Sequence, residues 1–258
     1  MVRILRRTQR FSRLVALAVM ICLAGILGTL GLCAESKVIV VASTSWTGAI
    51  AAAAGADEVR VLAPLELKHP PEYDYRPSDL AKLNEATAFV YAGYEPFAKK
   101  LLEASGFPKA KTFTVMTMNE PGNLKRQAAI LAEKFGSEAK AAEWEAKFDQ
   151  LTADILKRAE QKKVSDIKVL VQQHQEPFVK WLGYNIVGVF GAEELSPAKV
   201  MEYSKLGPAA IIDNSHNPQG KPIVEVTKGN YVELINFPSP KAPTLIELFA
   251  ENAGRLGL

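Results

Sequence analysis

Short apolar runs, rich in Val, Ile and Phe, recur along this chain and are each followed by a polar loop and then by a stretch of helical spacing. Such runs read as buried parallel strands, because a strand covered on both faces loses the usual apolar and polar alternation. The runs fall at 37–42, 59–62, 88–92 and 112–117, and again at 167–172, 184–190, 208–212 and 231–235. Helices are predicted between them. A small-residue helix over 49–54 stops at Gly55, a short one covers 81–86, and one over 96–105 stops at Gly106. Leu124, Ala128, Leu131 and Phe135 mark a further helix. In the second half, helices are predicted over 178–182, from Ser196-Pro197 to about Leu206, and over 244–253.

The stretch from Ser137 to Lys163 divides these two series. Trp144, Phe148, Leu151 and Ile155 recur on one helical face, and neither Pro nor Gly interrupts it. At 1.5 Å rise per residue such a helix is roughly 35 to 40 Å long, enough to cross a small two-lobed protein. The predicted fold class is therefore α/β, with two Rossmann-like lobes joined by a long rigid helix and a ligand cleft between them. The expected boundaries are an N-terminal lobe at 35–136, the linking helix at 137–163 and a C-terminal lobe at 164–258.

The segment 1–34 has a different character. Arg3, Arg6, Arg7, Arg10 and Arg13 precede the almost wholly apolar Leu14 to Leu32. This is the pattern of an export signal, and its length also suits a retained N-terminal anchor. Leu30-Gly31-Leu32-Cys33 is similar to a bacterial lipoprotein box, although Leu32 is bulky where a small residue is usual; simple cleavage near Cys33 or Ala34 is the alternative. The two cysteines, Cys22 and Cys33, both lie in this segment, so the rest has neither a disulfide framework nor a cysteine metal cluster. The formal charge of +3 also belongs to the leader, which carries five of the 31 basic residues and no acidic one. What remains holds 26 basic and 28 acidic residues, a net charge of −2, and no basic footprint for nucleic acid.

Candidate chemistry lies in the loops after the strands. His69 sits in the Pro-rich segment 67–80, and His174 sits in Gln173-His174-Gln175-Glu176-Pro177. The two loops are taken as equivalent positions in their lobes, and α/β folds bind ligands at such strand ends. Asp213 and His216 share a polar loop, 213–220, where they can turn inward as ligands or serve as ordinary turn residues. Met116 is either core filling or a soft thioether facing the cleft. Ser78 reads as a helix N-cap and Asp79 as a structural carboxylate beside it. The hydroxyls of Ser43-Thr44-Ser45 suit an anion, but such loops are common. Paired catalytic carboxylates, a Gly-rich phosphate loop, a nucleophile elbow and the His-Glu-x-x-His helix are all lacking.

On these residues the chain resembles the zinc/manganese branch of periplasmic solute-binding proteins of ABC uptake systems. Lys37-Val38-Ile39-Val40-Val41-Ala42-Ser43 is similar to the family's first strand. Tyr73-Asp74-Tyr75-Arg76-Pro77-Ser78-Asp79 is similar to its Tyr-Glu-Pro-x-Pro-Ser-Asp motif. Asn119-Glu120-Pro121-Gly122-Asn123 is like the segment before its bridging helix, and Val169 to His174 is like the strand and ligand loop opening its second lobe. The resemblance implies a metal held by histidines and carboxylates. The family's first histidine falls at Pro71, two residues beyond His69; its second falls near Met116; its third matches His174. Its second-lobe carboxylate aligns with Asp213, and its last acidic position is Asn236.

The expected metal ligands are thus His69, His174, Asp213 and His216, with Glu72, Met116 and Asn236 as further candidates. The implied activity is capture of a divalent transition-metal ion, Zn²⁺, Mn²⁺ or Fe²⁺, without an organic cofactor or catalysis. The implied partner is an ABC permease, and the implied state is a monomer in the periplasm or on the outer face of the cytoplasmic membrane. A different small solute held by Arg76 and the hydroxyls, a surface adhesion module and a metal-dependent hydrolase remain as alternatives.

Overall fold

The computed structural model describes residues 37–67 and 69–258. The expectations for the leader, a signal, an anchor or a lipid at Cys33, lie outside the described residues.

The first half runs β1 (Ile39–Ala42), α1 (Ser45–Ala53), β2 (Glu58–Val61), α2 (Pro77–Asn84), β3 (Ala88–Tyr91), α3 (Pro96–Ser105), β4 (Thr112–Thr114) and α4 (Pro121–Phe135). Then comes α5 (Glu138–Gln161), about 36 Å long at 1.5 Å per residue. The second half runs β5 (Lys168–Gln172), α6 (Glu176–Trp181), β6 (Asn185–Phe190), α7 (Pro197–Ser204), β7 (Ala210–Asn214), α8 (Lys221–Thr227), β8 (Asn230–Leu234) and α9 (Leu245–Arg255).

Each half builds one four-stranded parallel sheet, ordered β2-β1-β3-β4 and β6-β5-β7-β8. The orders are the same, second strand first. In each sheet the chain reverses its winding beside the first strand, which opens a crevice at the strand C-termini. This topology corrects one expectation. His69 follows β2, an edge strand, whereas His174 follows β5, a central one, so the two loops are not equivalent.

The apolar runs lack alternation because two cores flank each sheet. Val40, Val90, Val169, Val171 and Ile212 face a large core shared by both lobes and α5. Their neighbours Val41 and Phe89 face a second core with Leu83, Phe97 and Leu101. Leu170 and Ile211 face a third, with Phe190 and Ile223. Successive strand side chains point to opposite faces, so both faces must be apolar.

The long helix lies in the shared core. Phe148 is fully buried and stacks on Trp144 with centroids 4.9 Å apart. It meets Phe249 of α9 edge-on at 5.0 Å, and Phe249 in turn meets Phe178 at 5.1 Å. Phe148 and Ile155 are both completely buried, which is worth roughly 1.5–3 kcal/mol each. Its ends are tied by polar contacts. Ser137 Oγ donates to the Ala54 carbonyl in the first lobe, and Lys162 Nζ donates to the Leu256 carbonyl at 2.6 Å in the second. Lys140 and Asp57 pair at 2.6 Å, but water screens this surface pair and it adds little.

Four local expectations change. α1 starts at Ser45, inside the expected hydroxyl loop. α2 starts at Pro77 with Arg76 at its N-cap, so Ser78 lies inside the first turn. Asp79 does the capping: its carboxylate accepts from the Arg76 N–H at 2.9 Å, the Tyr73 hydroxyl at 2.9 Å and Lys82 at 2.9 Å. Burial alone would raise the Asp79 pKa, but these hydrogen bonds outweigh it and hold it below the ordinary carboxylate value. β7 extends through Asp213, which pairs with Glu233 and is not a loop residue. α8 was not expected, because Ile223, Val224, Val226 and Thr227 are β-branched and Pro222 hides the start.

Candidate functional site

A cavity of about 890 Å³ lies between the lobes, lined from the C-terminal ends of both sheets. Every strand contributes. Trp46 follows β1, His69 follows β2, Tyr94 follows β3 and Met116 to Asn119 follow β4. Across the gap, His174 follows β5, Ala192 follows β6, Asn214 and His216 come from the end of β7 and its loop, and Asn236 and Phe237 follow β8. Such a cavity forms where the winding of an open α/β sheet reverses, and here two sheets face each other.

All three histidines of the sequence line this one cavity. His69 is exposed at the start of the short 3₁₀ turn Pro70–Glu72. The Gln172 Oε1 accepts the His174 main-chain N–H at 2.7 Å, which fixes the turn without engaging the ring. Neither ring of His69 or His174 is hydrogen-bonded to another described residue. Burial lowers the His174 pKa from its ordinary value, and burial together with the nearby His69 charge lowers that of His216. Both rings are therefore neutral at neutral pH, the form that binds metal.

His216 is held by its surroundings. Its ring stands edge-on to Phe237 at 5.2 Å, and the Asn214 Oδ1 accepts its main-chain N–H at 3.1 Å. The Asn236 N–H donates to Nδ1 at 3.4 Å. Ser215 Oγ stands 3.5 Å from the same nitrogen. Because Nδ1 accepts the Asn236 N–H, the neutral ring carries its proton on Nε2; freeing Nε2 for a metal moves that proton to Nδ1 and gives up the Asn236 bond, with Ser215 Oγ as the remaining acceptor.

Asp213 does not join them. It is completely buried, and its Oδ2 accepts from the Gly220 N–H at 2.6 Å and the Tyr231 hydroxyl at 2.8 Å. Its Oδ1 accepts the Asn214 N–H at 2.8 Å. Both oxygens are committed, and the residue does not line the cavity. Its work is to close the 213–220 loop that carries His216. Burial and the two carboxylates, Asp213 and Glu233, push the Tyr231 pKa well up, so this phenol stays a donor.

The other candidates divide. Glu72 and Arg76 are exposed and do not line the cavity. Ser43, Thr44 and Ser45 are buried; Ser43 donates to Glu95 at 2.7 Å, and none of the three lines the cavity. Met116 and Asn236 do line it. Met118 and Asn119, beside Met116, line it too, although nothing in their residue types marks them as site residues in the sequence. Asn119 is 3 % exposed, yet neither atom of its carboxamide has a partner among the described residues. A buried, unsatisfied amide in a cavity wall is a group waiting for an occupant.

Among the described residues no Asp, Glu, Lys or Arg lines the cavity, and no three His, Cys, Asp or Glu side chains converge closely enough to hold an ion. The wall is instead made of imidazoles, thioethers, carboxamides and aromatic rings. Among the described residues no helix is long and apolar enough to cross a membrane.

No protein-family model and no curated protein matches the chain. Solved structures do match. One is the solute-binding protein FpvC from Pseudomonas aeruginosa with Mn²⁺, at 16 % identity and a TM-score of 0.69 over 86 % of this chain and 97 % of that one. FpvC with Ni²⁺ aligns at 16 % identity and 0.66, over 84 % and 94 %. An Mn-bound periplasmic metal-binding protein from Candidatus Liberibacter asiaticus aligns at 16 % identity and 0.62, over 85 % and 98 %. At this identity the likeness is one of fold. The fold is the two-lobed α/β arrangement that these binding proteins share.

Proposed function

We propose that the chain is an extracytoplasmic binding protein that captures a transition-metal ion between its lobes and delivers it to the permease of an ABC uptake system. One observation carries this reading: every histidine of the sequence, from three different loops and both lobes, lines one cavity. FpvC and the Candidatus Liberibacter asiaticus protein, which align over almost their whole length, are described in complex with Ni²⁺ or Mn²⁺.

The residues set the chemistry. Neutral imidazole suits zinc, nickel, iron and copper; manganese prefers carboxylate oxygen, which the described wall does not offer. The expected preference for Zn²⁺ or Mn²⁺ therefore narrows toward the imidazole-loving ions. The three histidines do not converge in the structure, so on this reading the lobes close to bring His69 of the first lobe to the ion held by His174 and His216 of the second. On this reading 35–136 and 164–258 are the two halves of the trap and 137–163 its fixed spine. Segment 1–34 directs export and holds the protein, as a monomer, in the periplasm or on the outer face of the cytoplasmic membrane. The chain binds and releases and performs no covalent chemistry.

The test is elemental analysis of protein purified without added metal, followed by calorimetric titration of the chelator-stripped protein with Zn²⁺ and Ni²⁺. One ion per chain is expected. Absence of metal from both measurements refutes the reading. A second reading, capture of a small polar solute, is favoured by the cavity volume and the unpartnered Asn119 amide. Mass spectrometry of what leaves the protein on denaturation separates the two.

A further inference from the structure

We propose that the preferred cargo is a soft monovalent cation, copper(I) in the first instance, bound by the thioethers of Met116 and Met118 together with imidazoles of the same cavity. This rests on the metal-receptor reading and narrows it.

The two methionines are out of place for apolar residues. Met116 is 56 % exposed and Met118 45 % exposed, and both face the cavity. A methionine that fills a core is buried. β4 ends at Thr114, yet the Val115 N–H still donates to the Tyr91 carbonyl at 3.0 Å and carries the extended path onward. Burial then alternates, with Val115 and Asn119 buried and Met116 and Met118 exposed. In extended backbone, residues two apart point the same way, which matches the shared exposure of Met116 and Met118.

Their backbone is held in place. Asn123, buried at the start of α4, donates its Nδ2 to the carbonyls of Met116 and Met118, both at 3.0 Å. The Gln127 Oε1 accepts the Met116 N–H at 3.1 Å. One amide thus fixes the spacing of two thioethers and leaves both side chains unused.

Charge decides which ion such a wall accepts. Among the described residues it offers no carboxylate, so the charge of the ion is not compensated. The Born cost of moving an ion out of water grows with the square of its charge, so a monovalent ion pays about a quarter of what a divalent one does. Thioether sulfur is neutral and polarizable and selects Cu(I) over harder ions. It also supplies donors where His, Cys, Asp and Glu side chains alone do not converge.

The experiment is anaerobic competition for Cu(I) between the protein and the chromophoric chelator bicinchoninate, with Zn²⁺ and Ni²⁺ titrated separately. The variants are M116L/M118L, which removes sulfur at similar volume, and M201L, which removes an exposed thioether on α7 away from the cavity. Thermal melts establish that each variant folds. Wild type and M201L are expected to take Cu(I) from the chelator. The double variant is expected to bind it about 100-fold more weakly, about tenfold for each lost partner, with Zn²⁺ and Ni²⁺ affinity unchanged. X-ray absorption of the copper-loaded wild type should show sulfur neighbours. Equal Cu(I) affinity in the double variant, or a wild type that binds Zn²⁺ or Ni²⁺ but not Cu(I), overturns the proposal and leaves the metal-receptor reading standing. Failure to bind any of the three overturns both.

Discussion

Tyr231 donates its hydroxyl to Asp213 Oδ2 at 2.8 Å, and this pair, with the Gly220 N–H on the same oxygen, turns a candidate metal ligand into the clasp of the loop carrying His216. A carboxylate whose lone pairs are filled by main-chain and phenol donors stabilises the fold where it stands.

D213N is therefore expected to lose stability. An amide placed there must turn its NH₂ toward one of the donors that Asp213 now accepts from, which costs about 1–3 kcal/mol. Urea denaturation should show the loss, while metal affinity of the folded fraction stays within about threefold, or roughly 0.7 kcal/mol. An affinity loss at unchanged stability would return Asp213 to the ligand set.

The histidines should behave in the opposite way. H69A, H174A and H216A are each expected to weaken metal binding by about tenfold or more, at least the loss seen for outer partners of metal sites. H69A should leave the melting temperature unchanged, because His69 is exposed and its ring bonds no other described residue. Calorimetry beside a thermal melt checks both halves. Full affinity in all three variants would empty the site of its ligands.

Acid should act twice. The His174 and His216 pKa values lie below the ordinary 6.5, so the unfolded chain binds protons that the folded one resists. Their contribution to stability is complete above about pH 6.5 and is lost as pH falls from there through the folded-state values. Metal affinity falls over the same window, because protons compete for the same nitrogens. Urea midpoints of metal-free protein at pH 7.5, 6.5 and 5.5 should decline for wild type and stay flatter for H174A/H216A.

The joint of the long helix gives a test remote from the cleft. Gly55 has φ +89°, and a Cβ there would lie 2.7 Å from the Lys140 Cβ and 3.0 Å from the Ser137 Cβ. G55A is expected to cost about 2 kcal/mol or more through backbone strain and overlap. Metal affinity of the folded protein should stay as in wild type. Denaturation with and without metal distinguishes the two effects.

The sequence carried most of the elements and the architecture. α3 was expected over 96–105 and occupies Pro96–Ser105, because Pro96 starts it and Gly106, in the left-handed region at φ +63°, stops it. Strands buried on both faces were legible from unbroken Val and Ile. α8 was not, since β-branched residues in a helix imitate a strand until Ile223 is seen to pack under β7.

By itself, then, the sequence determined two α/β halves about one helix, and named His69, His174, Asp213 and His216 as candidate ligands near strand ends. These follow from periodicity, caps and residue type, which are local properties. Tertiary structure alone decided which side chains meet. It folded Asp213 inward against Gly220 and Tyr231, sealed Ser43 against Glu95, and turned Met116 and Met118 outward into the cavity. The direction a side chain takes depends on the elements packed around it, and those come from distant parts of the chain.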